Sequence, residues 1–399
     1  MANVIRHKRG TSDPVAGDFS NTAELLVNTT DGGLFTKTDG GSVVEIGAGG
    51  GLTEFVESQD TASPNATVPV DALTATDASY TNIDVALVPK GTGAFLAEVP
   101  DGAVAGGNKR GANAVDLQTD RNNSIQVASG ANSVVVGGER NTASAGHSTV
   151  LGGFSNTASG LYSIAGGYSC SATGANGVVI GYNSTSSTSY GAVIGYENSL
   201  TANYGHIVGS YHTVSASYAA CIGGISNTAD AELSIVIGAR DGDTRSTVGK
   251  AVIPACKSPI AFGDGLTQSA ILVLGRQTTD ATTTTLASNT STPGATNQLF
   301  LDNNTAYYFK GSVIAGVTGA GDTKAWTFEG AIKRGASAAT TAIVGSVVLN
   351  TIAYDSGAAA WDVDITADTT NGCLKVEVTG AAATTIRWVA KLETTEMGF

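Results

Sequence analysis

Residues 176–196 read NGVVIGYNSTSSTSYGAVIGY and contain the run V-I-G-Y twice, 14 residues apart. Similar units recur from residue 133 to residue 240, and in each of them an apolar run ends at an anchor glycine. The eight anchors, spaced by 14 or 15 residues, are Gly137, Gly152, Gly166, Gly181, Gly195, Gly209, Gly223 and Gly238. A short, nearly fixed period of this kind is the signature of a solenoid, in which each repeat forms one coil.

Two apolar columns precede the anchor glycines. Their members, paired by coil, are Val135 and Val136, Val150 and Leu151, Ile164 and Ala165, Val179 and Ile180, Val193 and Ile194, Ile207 and Val208, Cys221 and Ile222, Val236 and Ile237. Successive side chains of a strand point to opposite faces, so these columns predict strands that are buried on both faces. A thin coil has one interior, and the second face therefore needs another surface, most simply an identical chain.

A third column lies six residues after each anchor and contains only small residues. It consists of Ala143, Ala158, Ala172, Ser187, Thr201, Ser215, Ala229 and Thr244. A coil of 14 residues has little room at its inner turns, and glycine at the anchors supplies positive φ or a close approach of the backbone. The repeat therefore predicts a stack of coils, each with two short strands and two turns.

The pattern S-V-V-V-G-G-x-x-N-T-A-S-x-G at residues 133–146 resembles the head repeats of trimeric autotransporter adhesins. The resemblance covers residues 112–240 and implies a homotrimeric parallel β-roll. Outside that range the chain departs from the family. We see no signal peptide, no heptad stalk and no set of membrane-barrel strands near the C-terminus, and therefore expect a protein that is not anchored in a membrane.

Composition excludes several other classes of protein. Glycine contributes 52 of 399 residues and charged residues only 14%, which favours short strands and many turns over helices. The net charge of −13 argues against nucleic acid as a partner, because phosphate binding needs a positive face. No run of 18 apolar residues is present to span a membrane. The four cysteines form no CxxC pair, so we expect free thiols, with Cys221 as a small buried hydrophobe.

The N-terminal part resembles the attachment modules of bacteriophage fibres. Residues 1–55 contain K-R-G-T and the run LLVNTTDGGLFTKTDGG, in which DGG turns separate strand-like segments as in hairpins. The resemblance implies that this module binds other virion proteins. Residues 56–111 include IDVALVPKGTGAFLAEVP, which resembles a linking segment of phage tail proteins, and we interpret them as a β-rich shaft or linker.

The C-terminal part changes character. Residues 241–295 are rich in Thr, Ser and Asp and are interpreted as a connector with one strand at Ala270–Leu274. In residues 296–399, strand candidates separated by turns predict a β-sandwich of the jelly-roll kind. The candidates are Ala306–Ala315, Lys324–Lys333, Ala342–Tyr354, Ala360–Thr366, Leu374–Thr379 and Thr384–Glu393. Trp326, Trp361 and Trp388 are expected to fill its core. This part resembles the C-terminal domains of phage fibres, especially those of cyanophages and related marine phages, and is the predicted receptor-binding tip, with no receptor-binding residue identified.

No residue pattern predicts catalysis. The span Asn141–Tyr196 contains no Asp, Glu, Lys or Arg, although cleavage of a polysaccharide needs a pair of carboxylates. Asp362, Asp364 and Asp368 have the spacing of a solvated strand face. His206 and His212 lack the partners of a metal site, and Asp241 and Asp243 fit a turn better than a cation loop. We therefore predict no catalytic residue, no metal and no cofactor.

These observations predict the trimeric tail fibre of a bacteriophage virion, which binds a polysaccharide or an outer-membrane protein of its host through several weak contacts. Three alternatives remain open on the sequence alone. They are a fibre borne on the capsid, a bacterial trimeric surface adhesin, and a tailspike that degrades polysaccharide.

Overall fold

The computed structural model describes residues 85–255 and 265–399, residues 260 and 263, and short stretches between residues 8 and 82. The chain divides into two compact units, residues 1–88 and 89–399. Among the described residues, no helix is long and apolar enough to cross a membrane. Asp264 and Cys256 lie outside the described residues.

The first unit contains two small sheets. The first sheet has strands β1 (Lys8–Gly10), β2 (Leu25–Asn28), β3 (Leu34–Lys37) and β4 (Val43–Glu45), and the second has β5 (Phe55–Asp60) and β6 (Val70–Ala75). A short 3-10 helix spans Ala16–Asp18. β2 and β3 pair antiparallel, as the hairpin prediction requires, and Leu26 packs with Phe35. The predicted DGG turns themselves lie outside the described residues.

The second unit begins with a parallel β-solenoid, here called the roll. Its strands in chain order are β7 (Phe95–Leu96), β8 (Val115–Asp116), β9 (Val134–Val135), β10 (Thr142–Ala143), β11 (Thr149–Phe154), β12 (Thr157–Ala158), β13 (Ile164–Tyr168), β14 (Ser171–Ala172), β15 (Val178–Tyr182), β16 (Thr185–Ser186), β17 (Ala192–Tyr196), β18 (Ser199–Leu200), β19 (His206–Ser210), β20 (Thr213–Val214), β21 (Ala220–Ile225), β22 (Thr228–Ala229), β23 (Ile235–Arg240) and β24 (Ala251–Ala255).

Two sheets form the walls of the roll. The main sheet stacks β7, β8, β9 and the longer strand of each later coil, and the back sheet stacks the two-residue strands from β10 to β22. All pairings from β7 to β24 are parallel, for example Val179 opposite Val193 and Val193 opposite Ile207. The predicted all-β class and the parallel β-roll are therefore confirmed. The stack already begins at residue 95, inside the range interpreted as a β-rich shaft or linker.

A β-sandwich follows the roll without a break in the main sheet. Its strands are β25 (Thr267–Thr278), β26 (Thr284–Thr285), β27 (Leu299–Phe300), β28 (Thr305–Val317), β29 (Thr323–Arg334), β30 (Ala342–Tyr354), β31 (Asp362–Asp368), β32 (Cys373–Thr379) and β33 (Ile386–Gly398), with 3-10 helices at Ala338–Thr340 and Ser356–Ala358. The main sheet continues from β24 in the order β25, β33, β28, β29, β30. β25 thus makes the range 241–295 part of the sandwich sheet as well as a connection.

The sandwich core lies between this sheet and a smaller facing sheet of β26, β27, β31 and β32. Trp326, Trp361 and Trp388 are at most 2% exposed there, as predicted, and the indole N–H of Trp388 donates to Thr278 Oγ1 at 3.0 Å. Burial of large aromatic side chains is the main source of stability in such a core.

Buried ion pairs lie near both ends of the roll. In β8, next to the first strand, Asp116 continues the buried column below Val135 and accepts from Arg110 Nε at 2.7 Å. At the other end the Lys250 ammonium lies 2.9 Å from the carboxylate of Glu396 in the last strand, with both side chains fully buried. Charges at these positions require partners because an unpaired buried charge is very costly.

Candidate binding surfaces

The first apolar column of each repeat lies inside the coil. Seven of its predicted members, Val135, Val150, Val179, Val193, Ile207, Cys221 and Val236, are at most 1% exposed. Burial raises the pKa of the Cys221 thiol to about 12, so it remains a neutral thiol at physiological pH. This column therefore forms the interior of the individual chain.

The second column faces outward from the main sheet. Its members Val136, Leu151, Ile194, Val208, Ile222 and Ile237 are 37–50% exposed, and Ile180 is half-buried. Within one chain, then, each strand buries only one of its two apolar faces. The outward residues of neighbouring coils stand in register, as in the pair Ile180 and Ile194 and the pair Ile194 and Val208.

One coil is shifted by a residue from the sequence prediction. Ala165, rather than Ile164, pairs with Val179 in the buried column, and Gly167, rather than Gly166, pairs with Gly181. Ile164 therefore joins the outward face, and Gly166 stands opposite Ile180. The cause is the glycine pair of the preceding coil. Gly152 and Gly153 take up the extra residue of a 15-residue coil as a β-bulge.

The small-residue column also differs from its prediction. Ser187, Thr201 and Ser215 face outward, and the interior positions of those coils hold Ser186, Leu200 and Val214. In coils whose anchor is a single glycine, the buried position of the back strand lies one residue nearer to that glycine than predicted. The interior therefore admits a leucine, because Gly191 and Gly205 at neighbouring turns leave room for the Leu200 side chain.

An internal asparagine ladder, not predicted from the sequence, fixes one corner of the coils. Asn156 donates from Nδ2 to the carbonyl oxygens of Gly152 and Gly167, and its Oδ1 accepts the backbone N–H of Cys170. Asn141, Asn198 and Asn227 make equivalent bonds in their coils. The ladder could have been predicted from the triplet N-T-A, which recurs after several anchors, and from N-S-L after Gly195.

Two columns of exposed aromatic rings run along the roll. On the main sheet, Tyr168, Tyr182 and Tyr196 stack with ring centroids 4.8–4.9 Å apart. At the corner before that sheet, Tyr204 stacks on Tyr190 at 4.9 Å and on Tyr218 at 4.8 Å. The spacing follows from the distance between parallel strands, which places one ring above another in each successive coil. Aromatic residues at intervals of 14 predict such columns.

The histidines and aspartates that the sequence analysis weighed as possible sites lie in turns, in coils or on a strand face. His206 points outward and His212 lies inside the coil, so they do not share a site. Asp243 Oδ1 accepts the backbone N–H of Arg245 at 2.7 Å, which is a turn contact. Asp362 and Asp364 are exposed and alternate with buried Val363 and Ile365, as expected of a solvated strand face. Among the described residues no cluster of three metal-ligating side chains occurs.

The outer face of the sandwich carries a shallow, partly charged depression of about 400 Å³. Lys391 Nζ lies 2.6 Å and Lys310 Nζ 3.1 Å from the carboxylate of Glu393. Hydrogen bonds from these two lysines lower the pKa of Glu393. A carboxyl with a lowered pKa is a poor general acid at neutral pH.

Comparison with known proteins gives little further identification. No family model matches the chain, and no curated protein matches it. Among solved structures, the crystal structure of the Acinetobacter phage vB_ApiP_P1 tailspike protein aligns with 11% sequence identity and a TM-score of 0.20. The alignment covers 71% of this chain and 58% of that chain, which is less than two thirds of the tailspike's length.

Proposed function

We propose that this chain is the homotrimeric fibre protein of a bacteriophage virion and that it binds the host surface without catalysis. The observation that carries the proposal is the apolar outward face of the main sheet, which one chain leaves uncovered. The N-terminal sequence resemblance supports attachment to other virion proteins, and the C-terminal resemblance supports a role in host binding.

The outward face carries apolar side chains from neighbouring strands. Ile194 is flanked on its own strand by Ala192 and Tyr196, and the same arrangement of apolar residues repeats at Val178, Ile180 and Tyr182. Contiguous exposed apolar surface of this kind marks an interface between proteins. Each copy offers the same face, so identical chains arranged around one axis would cover it, and the resemblance to autotransporter heads sets their number at three.

The sandwich offers a second surface of the same kind. β30 is the last strand of the main sheet, and among the described strands its pairing partner is β29. Its side chains Val344, Val348, Ile352 and Tyr354 are 47–60% exposed. A long apolar edge strand is an aggregation hazard unless something covers it, and a neighbouring copy in the fibre would do so.

Binding without cleavage fits the chemistry of these surfaces. The roll has no formal charge from Asn141 to Tyr196. In the sandwich, Asp362 and Asp364 are exposed on a strand face and Glu393 is paired with Lys310 and Lys391. Weak contacts repeated on three chains, and on several fibres, raise the effective concentration of binding sites at the host surface. Such avidity needs rigid spacing, which stacked coils provide.

The test is binding of labelled full-length protein to a panel of marine cyanobacterial strains, together with a reducing-sugar assay of the supernatants. We expect saturable retention on at least one strain and no release of reducing sugar. Release of sugar would replace the proposal with a polysaccharide-degrading tailspike. Retention on no strain would contradict host binding.

A further inference from the structure

We propose that a slot between Tyr162 and Tyr190 binds one pyranose ring of a neutral surface glycan. The inference rests on the proposed function, because it names a ligand class for a host-binding fibre. The slot lies on the corner column of the roll and interrupts the ladder of stacked rings there.

The corner column places one residue per coil in a regular stack. Backbone N–H groups of Tyr162, Asn176 and Tyr190 donate to the carbonyls of Gly146, Leu161 and Ala175 in the coil before. His147 stacks under Tyr162 at 4.8 Å, and Tyr204 stacks on Tyr190 at 4.9 Å. Asn176 stands where the ring between them would be. The two tyrosine walls are therefore two strand spacings apart, about 9.6 Å.

The backbone at these corners favours asparagine over tyrosine. Tyr162 and Tyr190 have φ of +57° and +60°, a region in which bulky side chains are uncommon and asparagine is enriched. Asn113, Asn132 and Asn176 occupy corresponding corners with φ of 55–56°. Both tyrosines are about half exposed, so they add little to the core. Residues held in unfavourable backbone conformations are concentrated at functional sites.

The dimensions of the slot admit one ring. A ring midway between the walls lies about 4.8 Å from each tyrosine, close to the 4.9 Å at which Tyr190 and Tyr204 stack, and the polar amide of Asn176 between the walls favours a sugar over a second aromatic ring. The face of a tyrosine ring carries partial negative charge, and it attracts the weakly positive C–H groups on the face of a sugar.

Polar groups at the base of the slot match sugar hydroxyls. The side-chain amide of Asn176 offers both a donor and an acceptor and forms no hydrogen bond to any described residue. The neighbouring Ala175 is small and leaves space beside it. Asn141–Tyr196 has no Asp, Glu, Lys or Arg, and its one histidine, His147, stacks on the side of Tyr162 that faces away from the slot, which favours a neutral sugar.

The test uses saturation-transfer NMR with methyl glycosides of glucose, galactose and mannose and with their neutral oligosaccharides. The wild-type protein is expected to bind at least one of them. Tyr190→Ala removes a wall and Asn176→Tyr fills the slot, and each is expected to weaken binding at least tenfold. Tyr218→Ala, at the far end of the same ladder, is the matched control and should change affinity less than twofold.

Circular dichroism and the solution mass of each variant establish that it folds like the wild type. Binding of no tested sugar, or unchanged binding by folded Asn176→Tyr, would overturn the slot. Cell retention measured in parallel separates the two proposals, since retention on cells with no sugar bound overturns the slot and leaves the fibre function standing.

Discussion

Asparagines inside the coils show how single residues hold this repeat together. Asn227 donates to the carbonyls of Gly223 and Ala239 and accepts the N–H of Gly242, so one side chain satisfies backbone groups of two coils. Buried backbone groups without partners are costly. The ladder therefore fixes the corner where each chain segment passes from the main sheet to the back sheet.

His212 replaces asparagine in this ladder and makes it sensitive to pH. Its Nδ1 accepts the N–H of Asn227 at 3.1 Å, and its buried Nε2 has no partner. Burial lowers the pKa of His212 below its ordinary value. The unfolded chain then binds a proton more readily than the folded one, so stability is complete above a pH of about 6.5 and is lost as the pH falls.

We expect His212→Asn to lose less thermal stability than the wild type between pH 7.5 and pH 4.5. The asparagine would supply the same acceptor without a titrating ring. Asp243, whose pKa burial raises to about 6, has the opposite sign, because its contribution is lost as the pH rises through that value. Asp243 is present in both the wild type and His212→Asn, so its contribution to the pH dependence cancels in the comparison. Equal pH profiles in calorimetry would refute the role of His212.

The position of Gly195 in the stack of coils has no room for a side chain. Its φ is +137°, and a Cβ there would overlap the carbonyl oxygen of Gly209 in the next coil. We expect Gly195→Ala to lower the free energy of unfolding by about 2 kcal/mol or more. Gly137→Ala, also at positive φ but with open space around the added carbon, is the control and should cost about 1 kcal/mol. If both variants lost the same free energy of unfolding in urea, the positive φ alone would explain the loss, and the overlap with Gly209 would not contribute.

At the scale of elements, runs of strand-forming residues between turns predict the long sandwich strands well. The candidate Ala342–Tyr354 matches β30 at both ends, and Ala306–Ala315 falls two residues short of the end of β28. Such runs, rich in β-branched and aromatic residues, carry a local signal. The shift in strand register at Gly166 and Gly167 could not be predicted in the same way. A glycine pair forms a bulge only where its coil and the adjacent coil differ in length.

The junction of roll and sandwich could not be predicted from the sequence either. Lys250 and Glu396 are 146 residues apart, and neither position belongs to a repeat. In the structure the carboxylate of Glu396 also accepts from Gln268 and Thr394. The last strand is thereby fixed to the last coil, so deletion of residues 296–399 would remove the partner of Lys250 as well as most of the sandwich.

Lys250→Met is expected to cost about 3 kcal/mol or more of unfolding free energy, because it leaves the buried Glu396 without its closest cation. The control is Lys391→Met, which removes the exposed partner of Glu393 and should cost no more than about 1 kcal/mol. Chemical unfolding of both variants measures the difference. A Lys250 variant as stable as the wild type would mean that the junction does not depend on this ion pair.

At the scale of the whole molecule, the two apolar columns now have separate roles. Val193 is buried inside its own chain, so Val193→Asp tests folding, whereas Ile194 faces outward and tests assembly. We expect Ile194→Asp to give a folded protein of lower mass, since a charge in an apolar interface opposes association. Thr185→Asp, an exposed residue on the back sheet, is the matched control and should assemble normally.

The mass of the full-length protein in solution tests the proposed fibre most directly. Light scattering coupled to size exclusion should give about three times the chain mass of 39.9 kDa, and this value should persist on dilution. A single species at 39.9 kDa would contradict the account, because the outward face of the main sheet would then be exposed in a stable monomer.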